Sequence, residues 1–417
     1  MIAMLNQHHS AESASEDSAS WQIPSQQLRA NNWEVIVAGA GPAGSTLARC
    51  LAAAGHRVLL LDRQRFPRDK VCGDALIPDA LNALRRAGLY DDVAARGQSL
   101  STISAFSPSR IEVPIAGEYI TLKRVILDEI MARGAVRAGA VLATGTVDAV
   151  ESIGEQQVSV GLRDALVPQR ARIAVIATGA DVGLLKQLGM VTRTLPSALA
   201  VRRYVKSRMK LDRLIVSYDR RVLPGYGWIF PLGADEYNVG CGMFLPRSRT
   251  RNLEALLSRF LEEFPLGRQL MAEATWVGEL RGAPLRCGLK GAAVSATGNI
   301  IAIGESIGAT FPFTGEGIGK AMETAEIAAQ AIHHSLRDGS RDKLTTLPGL
   351  LQARLAPKYL AYETAQKWIS RSWTNDFIAW RAKRSKYMQR ALEEMIADRG
   401  DARGVFSFRS LVHSVLN

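Results

Sequence analysis

Residues 33–38 read Trp-Glu-Val-Ile-Val-Ala, a short apolar run rich in Val and Ile, the pattern of a strand buried on both faces of a parallel sheet. A glycine-rich turn follows, then a helical pattern over residues 45–54 and a second buried strand over 56–62 (His-Arg-Val-Leu-Leu-Leu-Asp). Residues 122–137 carry apolar positions at helical spacing. Short alternating strands are predicted around 140–152 and 157–162, and a buried strand at 173–177. From about 195 to 291 the pattern changes to longer alternating strands, at 201–205, 226–231 and 237–243, interrupted by one helix at 252–264. Residues 299–304 (Asn-Ile-Ile-Ala-Ile-Gly) return to the buried-strand pattern, and 316–336 predict a long helix rising from a second glycine-rich loop. The remainder reads as mostly helical, with Trp368, Trp373, Trp380 and Tyr387 interspersed.

This order predicts an α/β protein: a Rossmann-like nucleotide-binding domain with an inserted antiparallel-sheet (α+β) substrate domain and a C-terminal helical segment. The expected boundaries are 33–195 plus 290–340 for the discontinuous nucleotide domain, 196–289 for the substrate domain and 341–417 for the helical region. Residues 1–32, rich in Ser, Ala, Gln and Asn, read as a disordered tail without the basic-then-apolar order of a secretory signal. A cytoplasmic protein is expected.

Composition adds a little to this picture. The 417 residues are 47% apolar and 22% charged, ordinary for a globular chain, and no apolar run is long enough to span a bilayer. Cys50, Cys72, Cys241 and Cys287 are irregularly spaced, which predicts free thiols and no metal site. The net charge of +12 is uneven, since residues 331–417 hold 15 Lys/Arg against 8 Asp/Glu. A basic, aromatic-bearing helix can meet nucleic acid, anionic lipid or an acidic partner, or simply be a solvated face. The expectation adopted is peripheral membrane or acidic-partner contact, with no nucleic acid.

The chemistry begins at Gly39-x-Gly41-x-x-Gly44, which lies between a predicted strand and a predicted helix. Gly39 permits the tight turn, Gly41 lets the backbone approach a pyrophosphate, Ala43 follows it, and Gly44 lets helix and strand close together. The pyrophosphate charge then meets the free N–H groups and dipole of a helix N-terminus. Asp62, followed by Arg63, closes the second strand where a carboxylate can bind the adenosine ribose. Near the other end, Gly304-Glu305-Ser306 and Phe311-Pro312-Phe313-Thr314-Gly315-Glu316-Gly317-Ile318 form strand end, acid, loop and helix start. A second glycine-rich helix start suits the far end of a longer cofactor, which favours FAD over a nicotinamide nucleotide.

In these residues the chain resembles the geranylgeranyl reductase family of flavoproteins, in the para-hydroxybenzoate-hydroxylase-like superfamily, over roughly residues 33 to 335. Residues 66–74 (Phe-Pro-Arg-Asp-Lys-Val-Cys-Gly-Asp) are similar to that family's lysine–x–cysteine–glycine loop. Arg124-x-x-x-Asp128 is similar to its arginine-then-acid helix start, and Tyr226-Gly227-Trp228-Ile229-Phe230-Pro231 to its Tyr-x-Trp-x-Phe-Pro motif. The resemblance implies FAD contacts at Ala43, Asp62, Cys72, Gly73, Arg124, Glu305, Gly317 and Ile318. It implies that Arg124 bonds the flavin or its ribityl chain, and that Glu305 bonds the ribityl hydroxyls. Tyr226, Trp228 and Phe230 would line an apolar substrate cavity, with Cys72 beside the ring as proton donor, polar contact or buried structural thiol.

Two departures from the family pattern stand out. Gly304-Glu305 replaces the usual Gly-Asp. After the buried strand the chain reads Ala177-Thr178-Gly179-Ala180-Asp181-Val182, without the usual glycine after the acid. Related hydroxylases use that segment to meet the nicotinamide donor, so a separate reductase or carrier protein is an alternative to NAD(P)H. Three functions fit these residues. The favoured one is hydride transfer between flavin and a carbon–carbon double bond of an apolar substrate, with Cys72, Tyr226 and Trp228 at the reaction. The second is a flavin monooxygenase. A halogenase fits less well, because only one tryptophan of that branch's Trp-x-Trp-x-Ile-Pro motif is kept. The third is a non-catalytic flavin-bearing binding protein.

Overall fold

The computed structural model describes residues 21–165, 167–244, 252–295, 298–400 and 402–407. Two eight-stranded sheets organise them. In the first, Asn32–Ala38 is flanked by Val58–Asp62 and Gln169–Ile176, all parallel, and Ile300–Ala302 also pairs with Gln169–Ile176 in parallel. Being paired on both sides and covered on both faces, Val35, Ile36 and Val37 are essentially inaccessible, which is why this strand is continuously apolar. The hairpin Val147–Ile153/Gln157–Leu162 extends this sheet in antiparallel fashion.

The helix Pro42–Ala53 starts immediately after Gly41 with proline at its first turn, a residue whose fixed φ suits that position. It packs against the long helix Ile318–Asp338, which ends at Gly339 in the left-handed conformation. That helix begins two residues later than its pattern predicts, because Gly315 is left-handed and Gly317 is the non-helical cap. Glu316 is thereby left in the loop.

Two boundaries differ from expectation. The tail is structured from Trp21: Ile23–Pro24 pairs with Val141–Thr144, and the buried Gln22 side chain bonds both the N–H (2.8 Å) and the carbonyl (3.0 Å) of Phe66. Residues 1–20 lie outside the described residues. The second sheet is not confined to 196–289. It runs Thr275–Leu285, Ala198–Lys206, Glu236–Phe244, Gly225–Gly233, Leu214–Ser217, Gln98–Phe106, Glu112–Thr121 and Ala75–Leu76 in spatial order. The chain between Asp62 and Arg124 thus crosses to the other sheet, where Gln98–Phe106 pairs in parallel with Leu214–Ser217. Only the long-range pairing reveals this.

The C-terminal helices complete the body. Leu344, Leu347, Leu351, Leu355, Tyr359 and Tyr362 form one buried stripe of the helix Asp342–Ile369. Phe311 of the glycine-rich loop lies between Tyr359 and Tyr362, with ring centroids 4.7 and 4.1 Å away, which fixes this helix against the loop.

Candidate active site

A cavity of about 620 Å³ lies between the two sheets. Gly39, Gly41 and Ala43 line one end, with Asp62 and Arg63 beside them. Cys72, Gly73, Arg124, Tyr226, Trp228, Phe230, Glu305, Gly315, Gly317 and Ile318 line the remainder. All but two of the residues expected at the site line this cavity, and those two, Gly44 and Gly304, serve packing. A Cβ on Gly44 would stand 1.8 Å from the Gly39 carbonyl oxygen, and one on Gly304 would stand 2.7 Å from the Ala43 Cβ. Gly41 is different: its φ is ordinary, and the nearest atom to an added Cβ is an Arg68 nitrogen at 4.0 Å. Space is held open in front of this backbone and the helix N-terminus behind it, the cradle a pyrophosphate requires.

Arg68 was visible in the sequence only as part of a loop, yet it bridges the site. Its guanidinium reaches Asp62 at 3.0 Å and Asp128 at 2.9 Å. Arg124 holds Asp128 with two bonds of 2.7 and 2.9 Å, and both arginines are almost fully buried. Asp62 also accepts the Ala40 and Gln64 N–H groups, at 3.0 Å each, so its place at the strand end is fixed.

Glu305 accepts the Arg286 N–H at 3.2 Å; burial raises its pKa, against the attraction of Lys70 and Arg124. The side chain thus reaches the backbone just after the strand Thr275–Leu285. Arg286 itself is buried beneath it, bonding the carbonyls of Arg193 and Gly291 at 3.1 Å each. The altered segment after the buried strand forms a local cap. Asp181 accepts the Gly183 N–H at 3.0 Å and pairs with Arg63 at 3.1 Å.

The 72–74 loop rests on the aromatic strand. Gly73 packs closely there, since a Cβ would sit 3.2 Å from the Phe230 ring. Asn238 ties the pieces together: it accepts the Trp228 indole N–H (2.9 Å) and donates to the Cys72 carbonyl and the Asp74 carboxylate (2.8 Å each). Asp74 also accepts the Tyr204 hydroxyl at 2.8 Å and the Arg124 N–H at 3.1 Å. Burial nevertheless pushes its pKa up to about 6. Burial raises the Cys72 thiol too, outweighing the neighbouring Arg124 guanidinium. The group is therefore a protonated thiol at neutral pH, not a thiolate.

A second chamber of about 210 Å³ opens beyond this wall, sharing Cys72, Gly73, Tyr226, Phe230, Gly315, Gly317 and Ile318 with the first. Ile103, Ile115, Leu214 and Val216 of the sheet face Ile369, Ile378, Leu392 and Met395 of the C-terminal helices across it. Trp228 lines the larger cavity and not this chamber, unlike Tyr226 and Phe230. Three acids stand in the chamber wall, Asp74, Asp79 and Glu316, and the last two had no recognisable sequence signal as chemical groups. Burial, reinforced by repulsion from Asp79 and Asp398, raises the Glu316 pKa well above the carboxylate range. Burial likewise lifts Asp79 to about 6, although Lys320 lies 3.8 Å away. Lys320 continues to Glu323 at 2.9 Å and to the partly exposed Asp398 at 3.0 Å.

A fold of this kind, with a glycine cradle, an acid closing the second strand beside it and a second glycine loop, is that of an FAD-dependent oxidoreductase. Residues 32–174 match the sequence family described as FAD binding domain. The chain is 33% identical over 343 residues to the menaquinone reductase of Mycolicibacterium smegmatis, covering 78% of this chain and 81% of that protein. It is 29% identical over 322 residues to digeranylgeranylglycerophospholipid reductase 2 of Methanopyrus kandleri, covering 72% and 78%. The fold is shared with a geranylgeranyl bacteriochlorophyll reductase-like protein from Thermoplasma acidophilum, with TM-score 0.76, 18% identity and coverage of 93% and 97%. It is also shared with a flavin-dependent brominase, with TM-score 0.73, 18% identity and coverage of 93% and 98%. The chain belongs to the geranylgeranyl reductase family of FAD-dependent oxidoreductases.

Proposed function

We propose that the protein reduces a carbon–carbon double bond in an apolar, isoprenoid substrate. The observation that carries this reading is the apolar chamber, which shares a wall with the cofactor cavity and holds the carboxyl groups of Asp74, Asp79 and Glu316 among aliphatic side chains. Gly41 and the helix behind it would hold the pyrophosphate, Asp62 the adenosine ribose, and Glu305 with Arg124 the ribityl–flavin end. When bound and reduced, FAD supplies a hydride. The chain's own task is then to orient the alkene, exclude water and deliver one proton to the carbon next to the one that receives the hydride.

Three groups whose pKa values burial raises border the junction, Cys72, Asp74 and Glu316. Asp74 is already engaged by Tyr204, Asn238 and Arg124, so the proton is assigned to Glu316, the carboxyl standing in the apolar wall beside the glycine loop. Asp79, Lys320 and the partly exposed Asp398 lie on the solvent side of that carboxyl's electrostatic neighbourhood and are assigned its reprotonation. Cys72 then serves as wall and polar contact. Tyr226, whose hydroxyl bonds the Thr314 carbonyl, fixes the glycine loop beside Glu316.

The test is anaerobic mixing of the dithionite-reduced holoprotein with geranylgeranyl lipids and with menaquinone. Return of the oxidised-flavin absorbance, with a product richer by two hydrogens, is expected. Faster oxygen consumption with substrate, and a product that gains oxygen, would overturn it in favour of a monooxygenase. Electron supply is expected to be selective. With Asp181 engaged by Arg63 and Val182 in place of glycine, NADPH alone should reduce the flavin slowly, and a separate reductase or carrier protein faster. Rapid, saturable reduction by NADPH in anaerobic stopped-flow would contradict this.

A further inference from the structure

The helix Ser372–Ala382 presents apolar side chains on two sides. Asn375, Ile378, Ala379 and Ala382 line the chamber. On the other side Trp373 is 70% exposed, and Phe377 and Trp380 are each 39% exposed. The spacing of four and then three residues puts these three rings on one stripe, and Phe377 stacks on Trp380 at 5.9 Å. Large rings left in water on a charged helix call for an explanation.

Charge supplies it. Residues 371–386 contain Arg371, Arg381, Lys383, Arg384 and Lys386 against the single acid Asp376. That acid is turned to the sheet, accepting bonds from the Ser107 hydroxyl and the Ser109 N–H at 2.7 Å each. The outward face therefore combines aromatic rings with cations, and the Arg384 guanidinium lies 4.7 Å from the Trp380 ring centroid. Tryptophan and arginine together suit the headgroup layer of a bilayer, where one end of the ring is dry and the other wet. No helix among the described residues is long and apolar enough to cross a membrane, so such contact is peripheral.

We propose that this helix docks the protein on an anionic lipid surface through Trp373, Phe377 and Trp380 with their flanking basic residues, and that the apolar substrate enters the chamber beside it. The second clause, and the preference for a bilayer over an acidic protein, rest on the function proposed above; the exposed basic and aromatic stripe does not. A bilayer is favoured over an acidic protein because the same helix that carries the stripe also walls a chamber for a molecule that dissolves in lipid.

The test is flotation of the FAD-loaded full chain with vesicles of phosphatidylcholine alone and with added phosphatidylglycerol. Binding is expected only with the anionic lipid, is weakened by salt, and shifts tryptophan emission to shorter wavelength. Trp373→Ala with Trp380→Ala, and separately Lys383→Glu with Arg384→Glu, should each lower partitioning by roughly tenfold or more. Both double variants should keep wild-type turnover on detergent-solubilised substrate. Equal partitioning of wild type and variants, or no binding to anionic vesicles, would overturn the docking. Vesicle binding without turnover of any prenyl lipid would leave the docking standing and remove the proposed reaction instead.

Discussion

Gly41→Val is expected to give a folded protein that carries no flavin. Residue 41 has an ordinary φ, and an added Cβ would meet only the Arg68 guanidinium, at 4.0 Å, so the chain itself tolerates the substitution. The space filled is that of the pyrophosphate. Losing two or more charge-assisted N–H contacts should weaken FAD binding by about a hundredfold at least. Gly44→Val is the contrasting variant, because its side chain collides with the Gly39 carbonyl at 1.8 Å and must disrupt the strand–helix junction itself. Flavin content per chain and thermal unfolding, measured on both, separate the two roles. A fully flavinylated Gly41→Val protein would show that the cofactor does not cross this turn.

The second large effect is at Glu316. If its carboxyl delivers the proton, Glu316→Gln should retain FAD yet slow the reductive step by about 100- to 10,000-fold. The donor must be protonated, so wild-type activity falls as pH rises through its elevated pKa, and this alkaline limb should vanish in the variant. The groups that set the limb are Asp79, Asp398, Lys320 and Lys358 around the carboxyl. Stability offers an independent reading. A carboxyl raised above its unfolded value binds more protons in the folded state, so stability is lost as pH rises from the unfolded towards the folded pKa. The neutral glutamine escapes that loss, and Glu316→Gln should be at least as stable as wild type at neutral pH. Cys72→Ser should cost less than about tenfold. The reverse ranking of the two variants would move the proton to Cys72.

Much of the cofactor half was readable because its signals are local. Gly39, Gly41 and Gly44 lie within six residues, a strand precedes them, a helix follows, and Asp62 closes the next strand. The motif at 226–231 was equally plain, and its residues do meet the 72–74 loop. What could not be read depends on pairing across the chain. Nothing near residues 98–121 says that these strands leave the first sheet for Leu214–Ser217. Nothing near Arg68 says that it joins Asp62 to Asp128, the latter 60 residues further along the chain. Asp79 looks like any acid in a helix's first turn, and becomes notable only when Lys320 and Glu316 are folded against it. The helical pattern after residue 340 does not say which of its side chains bound a chamber.

The two compartments also divide the chain unequally. Every side chain around the larger cavity comes from residues up to Ala321, whereas the smaller chamber is closed by residues 369–406 as well. Heredity can therefore vary the shape of the accepted molecule by exchanging the last fifth of the polypeptide, leaving the redox apparatus inherited intact. Chimeras joined just after Gly339, where the long helix ends, should swap substrate preference between relatives while retaining the same flavin spectrum and potential.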